Sequence, residues 1–461
     1  MTDILLRGEE LLLQYALPLL LFLVGASYLF SLRGFPFLHP IRTLRHAVRG
    51  NARSALRALS VALGGTLGVG NITGVALAIA AGGAGALFWM WVSAAVAMFL
   101  KYAEIVLAMQ TRRRANGEWE GGAMLYLREG PLGTLTPTLF AILCLVCALT
   151  LGGPVQSNAA VEAAVAVWGV SPTLVGALLT GGVVLAVVGG VKKIGAVTEL
   201  VVPLFSGVYL CLSLFAVFSH TGELPAVFAR IWREAFTLPS GVAGVGGFLS
   251  AEAVRYGVGR GLFSHEAGAG TAPIAHAVAE NTPTAQGVLG MVEVFVDTFV
   301  FCTATALPLL LAYPTALPDA GGFVLVREAF CALVGEGAVP LLGVSMLLFA
   351  YATLLAWCYY GRRALEHFTR RKGIILTYLC LFCLLSFVGG IGRESLVWRL
   401  ADVSIALLTL MHSVLLLPFL PRVLTESRKS GLLGQGIRLV RQRERKTCQR
   451  RAKIGGQRSE K

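Results

Sequence analysis

The sequence predicts an all-α polytopic membrane protein of about eleven transmembrane helices. Three observations lead there. Apolar runs of about 20 residues, the length that crosses a bilayer as a helix, recur along almost the whole chain. Hydrophobic residues fill 56% of the 461 positions and charged residues only 14%, with a mean hydropathy of +0.73; a soluble domain carries roughly 25% charged residues. The 39 Lys and Arg are unevenly spread, with 30 in alternate gaps between apolar runs or in the carboxyl-terminal tail. So little polar surface excludes a soluble enzyme, a disulfide scaffold and a disordered chain. The period-two alternation of a membrane β-barrel is missing as well.

The spans run roughly over 10–32, 54–81, 85–110, 133–168, 172–189, 196–219, 258–280, 285–312, 338–360, 373–390 and 395–421. The first is followed by Arg33 without a small-residue cleavage site, so it reads as a span and not as a removable leader. The first gap holds Arg33, Arg42, Arg45, Arg49, Arg53 and Arg57, and the third holds Arg112, Arg113, Arg114 and Arg128. The fifth holds Lys192 and Lys193; the ninth holds Arg362, Arg363, Arg370, Arg371 and Lys372. Basic residues stay on the cytoplasmic side, so the amino terminus is expected outside and the carboxyl terminus inside. Beyond Pro421 stand 13 Lys or Arg against three acids. That accounts for most of the net charge of +14 and suits a tail lying near anionic lipid. No nucleic-acid-binding motif accompanies it, so the expected partner is the bilayer and not nucleic acid. Cys144 with Cys147 and Cys380 with Cys383 have zinc-like spacing, but they sit in apolar runs and read as packing residues.

Two spans are interrupted. Span two contains Gly64, Gly65, Gly68, Gly70 and Gly74 around Asn71; span seven contains Gly261, Gly268 and Gly270 and is interrupted by Pro273. Glycine costs about 1 kcal/mol in a helix interior and proline removes a donor. Bare main chain is tolerated at bilayer depth only where protein or an aqueous site covers it. Interrupted segments at matching places in two halves point to a transporter site. Span two opens one set of five and span seven the next, and an odd number of spans per set makes the halves inverted. The expected organisation is an extra amino-terminal helix (1–32), a basic cytoplasmic loop (33–53), a first five-helix repeat (54–219), an extracellular connection (220–257), a second repeat (258–421) and a basic cytoplasmic tail (422–461).

The run Gly82-Gly83-Ala84-Gly85-Ala86-Leu87-Phe88-Trp89-Met90-Trp91 resembles the signature of the alanine/glycine:cation symporter family. So do Gly68-Val69-Gly70-Asn71-Ile72, Lys101-Tyr102-Ala103-Glu104, Gly121-Gly122-Ala123-Met124-Leu125-Tyr126, Gly189-Gly190-Val191-Lys192-Lys193-Ile194-Gly195 and Arg260-Gly261-Leu262-Phe263-Ser264-His265-Glu266-Ala267-Gly268. The matches run in order from about residue 30 to 425. Ala84, Ala97 and His265 stand where the family commonly has Pro, Gly and Asn. The resemblance implies a leucine-transporter-type inverted repeat of five plus five helices behind one extra span. It also implies Na+-coupled symport of a small neutral amino acid, with H+ as the alternative coupling ion and a glutamine- or serine-preferring carrier as the alternative substrate class. No other cofactor is implied, and the expected setting is a bacterial-type plasma (inner) membrane.

A zwitterionic substrate needs donors for its carboxylate and oxygens for its ammonium, and Na+ needs oxygens. Main chain around Gly68, Gly70, Gly268 and Gly270 and the side chains of Asn71, Thr66 and Thr271 are the candidates. Gln156 matches a family glutamine, and Thr353 and Trp357 match a family Thr and Trp lining the pocket; Phe263 is the candidate opposite wall. The expected ion ligands are Thr66, Thr271 and Thr353. Ionisable residues within the spans are Lys101, Glu104, Glu162, Glu199, Glu266, Glu293, Asp297 and Asp402. Glu266, Asp297 and His265 are the coupling or gating candidates. Lys101 and Glu104, at i and i+3, are expected to form an ion pair. No ATP-binding loop, nucleophile–base cluster or repeated pore loop is legible, which argues against a pump, an enzyme and a channel.

Overall fold

The computed structural model describes residues 11–48, 59–60, 62–115, 118–188, 191–237 and 252–433. The start of span two, Gly189 and Gly190, residues 238–251 and the tail after 433 lie outside the described residues, as do the side chains of Lys192, Lys193 and Glu199. Helix dominates, because every backbone donor must find its acceptor within the segment once water is gone.

Each of the eleven expected spans has a helical counterpart. Among the described residues, seven helices are long and apolar enough to cross a membrane: Gly85–Thr111, Leu135–Trp168, Val202–Ser219, Pro283–Ala312, Glu336–Leu365, Lys372–Gly390 and Glu394–Lys429. Shorter apolar helices, Leu17–Ser31, Val69–Gly82 and Pro172–Ala186, stand at spans one, two and five. Span seven is the polar, divided pair Glu252–His265 and Ala272–His276.

Span three is the most buried of the seven crossing helices, and spans one, seven and eight pack against it. Small residues make this close packing possible. Gly257 lies against Ala86 and Trp89, while Gly287 and Gly290 lie against Tyr102, Ile105 and Lys101.

Several elements between the spans are too short or polar to be legible as crossings. A hairpin pairs Arg113–Ala115 with Glu118–Glu120, and separate helices cover Pro40–Ala47, Leu224–Ala235 and Gly322–Val334. Span one begins with a π-helical turn at Leu12–Ala16, and two further spans widen into such turns, Ala148–Val155 in span four and Phe295–Cys302 in span eight. Pro154 explains the one in span four, since it cannot donate to the α ladder. Such turns concentrate at functional sites, and the latter two carry the chain into Gln156 and contain Asp297.

Candidate functional site

Span two breaks between Thr66 and Thr73. The chain is extended at Gly68 (φ −138°, ψ −154°), makes a 3-10 turn over Val69–Asn71 and resumes as helix at Thr73. Glycine spacing weakens the helix here, and Asn71 offers an alternative partner: its Oδ1 accepts the Gly68 N–H at 3.0 Å. Span seven breaks over 266–271, with Glu266, Gly268 and Gly270 all at positive φ (50°, 85° and 77°).

The two breaks touch. A Cβ at Gly70 would meet the Phe263 ring at 3.1 Å and the Ser264 Cα at 3.2 Å, so glycine permits this approach. Asn71 crosses the gap. Its amide nitrogen donates to Ser264 Oγ (2.8 Å) and Asp297 Oδ1 (2.7 Å). Ser264 in turn donates to the Asp297 carboxylate at 2.9–3.0 Å, and Thr298 Oγ1 donates to Oδ2 at 3.0 Å. Thr305 Oγ1 closes the group on the Asn71 carbonyl at 2.6 Å. Asp297 is wholly buried and receives only neutral donors from these neighbours. A buried carboxylate without a cation beside it is costly. This arrangement of oxygens suits a hard monovalent cation or a proton.

Gln156 and Thr353 converge on the first break. A side chain at Gly68 would meet Gln156 Oε1 at 3.2 Å and Thr353 Oγ1 at 2.5 Å. The Val69 N–H points at Gln156 Oε1 over a long 3.5 Å, and Thr353 donates to the Gly64 carbonyl at 3.3 Å. Thr66 is buried beside them, its hydroxyl turned back to the Ala62 carbonyl at 3.3 Å.

The second break is braced from several helices. Glu266 accepts from Trp357 Nε1 (2.9 Å) and Thr271 Oγ1 (2.8 Å), so the expected coupling residue holds the expected pocket wall. Glu104 Oε2 accepts the Gly270 N–H at 3.0 Å. His412 Nδ1 lies 2.7 Å from the Gly268 carbonyl and must donate there, which leaves Nε2 to accept from Tyr126 at 2.6 Å. Trp357 is fully buried, as core and not as an interfacial belt residue. His265 Nδ1 accepts from the Ala267 N–H at 3.0 Å, while its buried Nε2 has no hydrogen-bond partner among the described residues.

Two expectations are corrected. Lys101 does not pair with Glu104; it bonds Glu293 at 3.3 Å, and His276 bonds the other Glu293 oxygen at 2.8 Å. Helix packing, not i,i+3 spacing, chose that partner. Thr271, an expected ion ligand, donates its hydroxyl to Glu266. Asp402 is not at the centre: it is part-exposed and pairs with Arg260 at 2.9 Å. Sequence reasoning also missed Ser264, Thr298 and Thr305. Ser264 was legible only as part of the Arg260–Gly268 run, and nothing in the sequence singled out the other two.

A cleft of about 580 Å³ opens at the end of the bundle opposite Arg33, between Leu13, Tyr256, Arg260, Glu394, Trp398 and Asp402. Its floor is the Arg260–Asp402 pair, with the Arg260 guanidinium 4.6 Å over Trp398 and Trp398 stacked 4.9 Å from Phe263. Phe263 is therefore the layer between the cleft and Gly70.

Residues 1–430 match the sodium:alanine symporter family. The chain is 38% identical over 358 residues to the sodium/alanine symporter AgcS of Methanococcus maripaludis, covering 76% of this chain and 78% of that one. It is 32% identical to the amino-acid carrier protein AlsT of Bacillus subtilis (86% and 85% covered) and 31% identical to the probable sodium/glutamine symporter GlnT of the same organism (88% and 86% covered). Its fold is that of a solved Na+-coupled sialic acid symporter in a substrate-bound outward-open state, with a TM-score of 0.51 at 13% identity over 92% of this chain and 87% of the other. The leucine-transporter-type helical architecture and the transporter class both follow, and the chain belongs to the sodium:alanine symporter family.

Proposed function

We propose that this protein is a secondary active symporter that couples entry of a small neutral amino acid, of the alanine or glycine class, to inward movement of Na+ by alternating access. One observation carries the reading: two fractured helices meet at Gly70 and Phe263–Ser264 beside a buried carboxylate, Asp297. The names of the relatives AgcS and GlnT support sodium coupling and an amino acid substrate.

In this reading the substrate carboxylate lies at the Val69–Asn71 turn, just before the helix that begins at Thr73, whose dipole is positive at that end. Gln156 lies beside it, the Gly268 and Gly270 main chain faces it from the second break, and Trp357 limits the side chain. Asp297, Ser264 and the Asn71 carbonyl hold Na+; Thr353, the Gly64 carbonyl and Thr66 form a second oxygen group. Asp297 links ion to substrate, because Asn71 belongs to both. Glu266 and Thr271 position Trp357. Residues 54–219 and 258–421 act as the two inverted repeats, the amino terminus faces out, and the cleft above Phe263 is the outer vestibule of an inner-membrane carrier.

Counterflow of radiolabelled alanine in proteoliposomes tests the function. Saturable exchange that falls when choline replaces Na+ at constant pH is expected. No exchange of any small amino acid would overturn the reading. Gln156→Ala is expected to raise KM for alanine about tenfold, the cost of one lost hydrogen bond of about 1.4 kcal/mol, with unchanged membrane insertion. Trp357→Ala is expected to weaken glycine uptake and shift preference toward larger neutral amino acids by about 10-fold, since an unfilled methylene-sized space discriminates by about 1–3 kcal/mol. A competition panel across Gly, Ala, Ser and Gln measures it, and an unchanged ranking would remove Trp357 from the pocket wall.

A further inference from the structure

The end of the bundle that carries Arg33 holds a second cleft, of about 450 Å³, far from the two breaks. It is built where the hairpin after span three meets the end of span nine. Arg113, Arg114, Arg128, His367 and Arg370 line it, with Glu366 as the only acid among the lining residues. That acid is already spoken for: Glu366 accepts from Arg362 at 3.0 Å and Arg363 at 2.5 Å. The nearby Glu120 is shared by Arg363 (3.2 Å), Arg370 (2.9 Å) and Arg113 (3.8 Å). Among the described residues no carboxylate pairs with Arg114 or Arg128. Arg114 rests instead on the Trp119 ring, 4.9 Å from its centroid, with Arg112 over the same ring at 4.2 Å. The cleft thus collects positive charge that the described residues leave uncompensated. His367 reports that field: partial burial and Arg128 hold its imidazole below the ordinary range.

The cleft also borders the apolar belt. Thr138 Oγ1 lies 3.3 Å from His367 Nε2, so the start of span four flanks the site. On that helix Leu135 and Leu139 are exposed, and Phe368 beside His367 is exposed too. A cationic cleft opening onto lipid-facing side chains at the basic end of the bundle fits a headgroup and its acyl chains together. Met124 and Leu125 add an apolar part to the lining.

We propose that this cleft binds the phosphate headgroup of an anionic phospholipid from the cytoplasmic leaflet, with an acyl chain along Leu135, Leu139 and Phe368. Basic pockets of this kind at cytoplasmic helix ends select anionic headgroups by charge, and arginine presents a planar fork that matches phosphate oxygens. The bound lipid would brace the end of span nine, the helix that carries Thr353 and Trp357.

The test uses the purified full-length protein in detergent. Thermal unfolding is followed with added phosphatidylglycerol, phosphatidylcholine or inorganic phosphate, and retained lipid is counted by native mass spectrometry. The expected result is stabilisation by phosphatidylglycerol alone, with the R114Q/R128Q double variant needing about tenfold more lipid for the half-maximal shift. Both side chains are exposed, so the variant is expected to fold. L135E, which alters the acyl path and leaves the arginines, is the second variant and is expected to lower retention of phosphatidylglycerol. Equal stabilisation by phosphatidylcholine, or an unchanged response in both variants, overturns the proposal. Stabilisation by inorganic phosphate to the same extent also overturns it, by making the cleft a site for free anions.

Discussion

Asp297→Asn is expected to reduce Na+-driven alanine uptake more than hundredfold and to abolish its dependence on Na+. The carboxylate receives Asn71, Ser264 and Thr298 from three different segments, wholly out of water. The amide keeps the volume and removes the charge. Hydrogen bonds to a charged group are worth about 1.5–3 kcal/mol each, and one group of the amide can no longer accept. Losing about 3 kcal/mol of ion binding corresponds to more than a hundredfold. The isosteric change keeps the helices packed, so a monodisperse peak on size exclusion should accompany the loss of transport. Uptake in proteoliposomes across a Na+ series is the measurement. Preserved Na+ activation in Asp297→Asn would move the ion away from Ser264 and Asn71.

Gly270→Ala is expected to be strongly destabilising, costing about 2–5 kcal/mol. Two independent penalties add. The residue sits at φ +77°, where an L side chain costs about 1–2 kcal/mol. The new Cβ would also lie 2.7 Å from Phe140 Cε2 and 2.9 Å from the His412 ring. Those rings cannot easily step aside: His412 is held by Tyr126 and the Gly268 carbonyl, and Phe140 packs on it with centroids 5.6 Å apart. Overpacking of such a site costs about 1–3 kcal/mol. Gly259→Ala is the control. It lies inside a helix with nothing within 4 Å of the added carbon, and alanine is the better helix former by about 1 kcal/mol. Thermal unfolding in detergent should separate the two widely; equal midpoints would mean that the second break is not held as described.

The reading of the two breaks came from local chemistry. Glycine, asparagine and proline within apolar runs weaken an α-helix whatever surrounds them, so the fractures at Gly68–Asn71 and Glu266–Thr271 could be placed within a few residues. The spans were legible for a similar reason, since bilayer thickness sets a length that composition alone satisfies. Asp297 and Glu266 stood out because charge is rare inside a membrane.

Partnership was different. Lys101 looked paired to Glu104, three residues away, yet it bonds Glu293, and Glu104 reaches Gly270. The widened turns at Ala148–Val155 and Phe295–Cys302 had no clear signature apart from Pro154, and they decide where Gln156 and Asp297 point. The sequence by itself determined which segments cross the membrane and where two of them cannot stay helical, because hydropathy and backbone propensity act within a turn or two. Only the tertiary structure decided which oxygens gather around Asn71, because Ser264 and Asp297 lie 193 and 226 residues away along the chain. Contacts that distant are set by how helices pack, and no local rule of spacing encodes them.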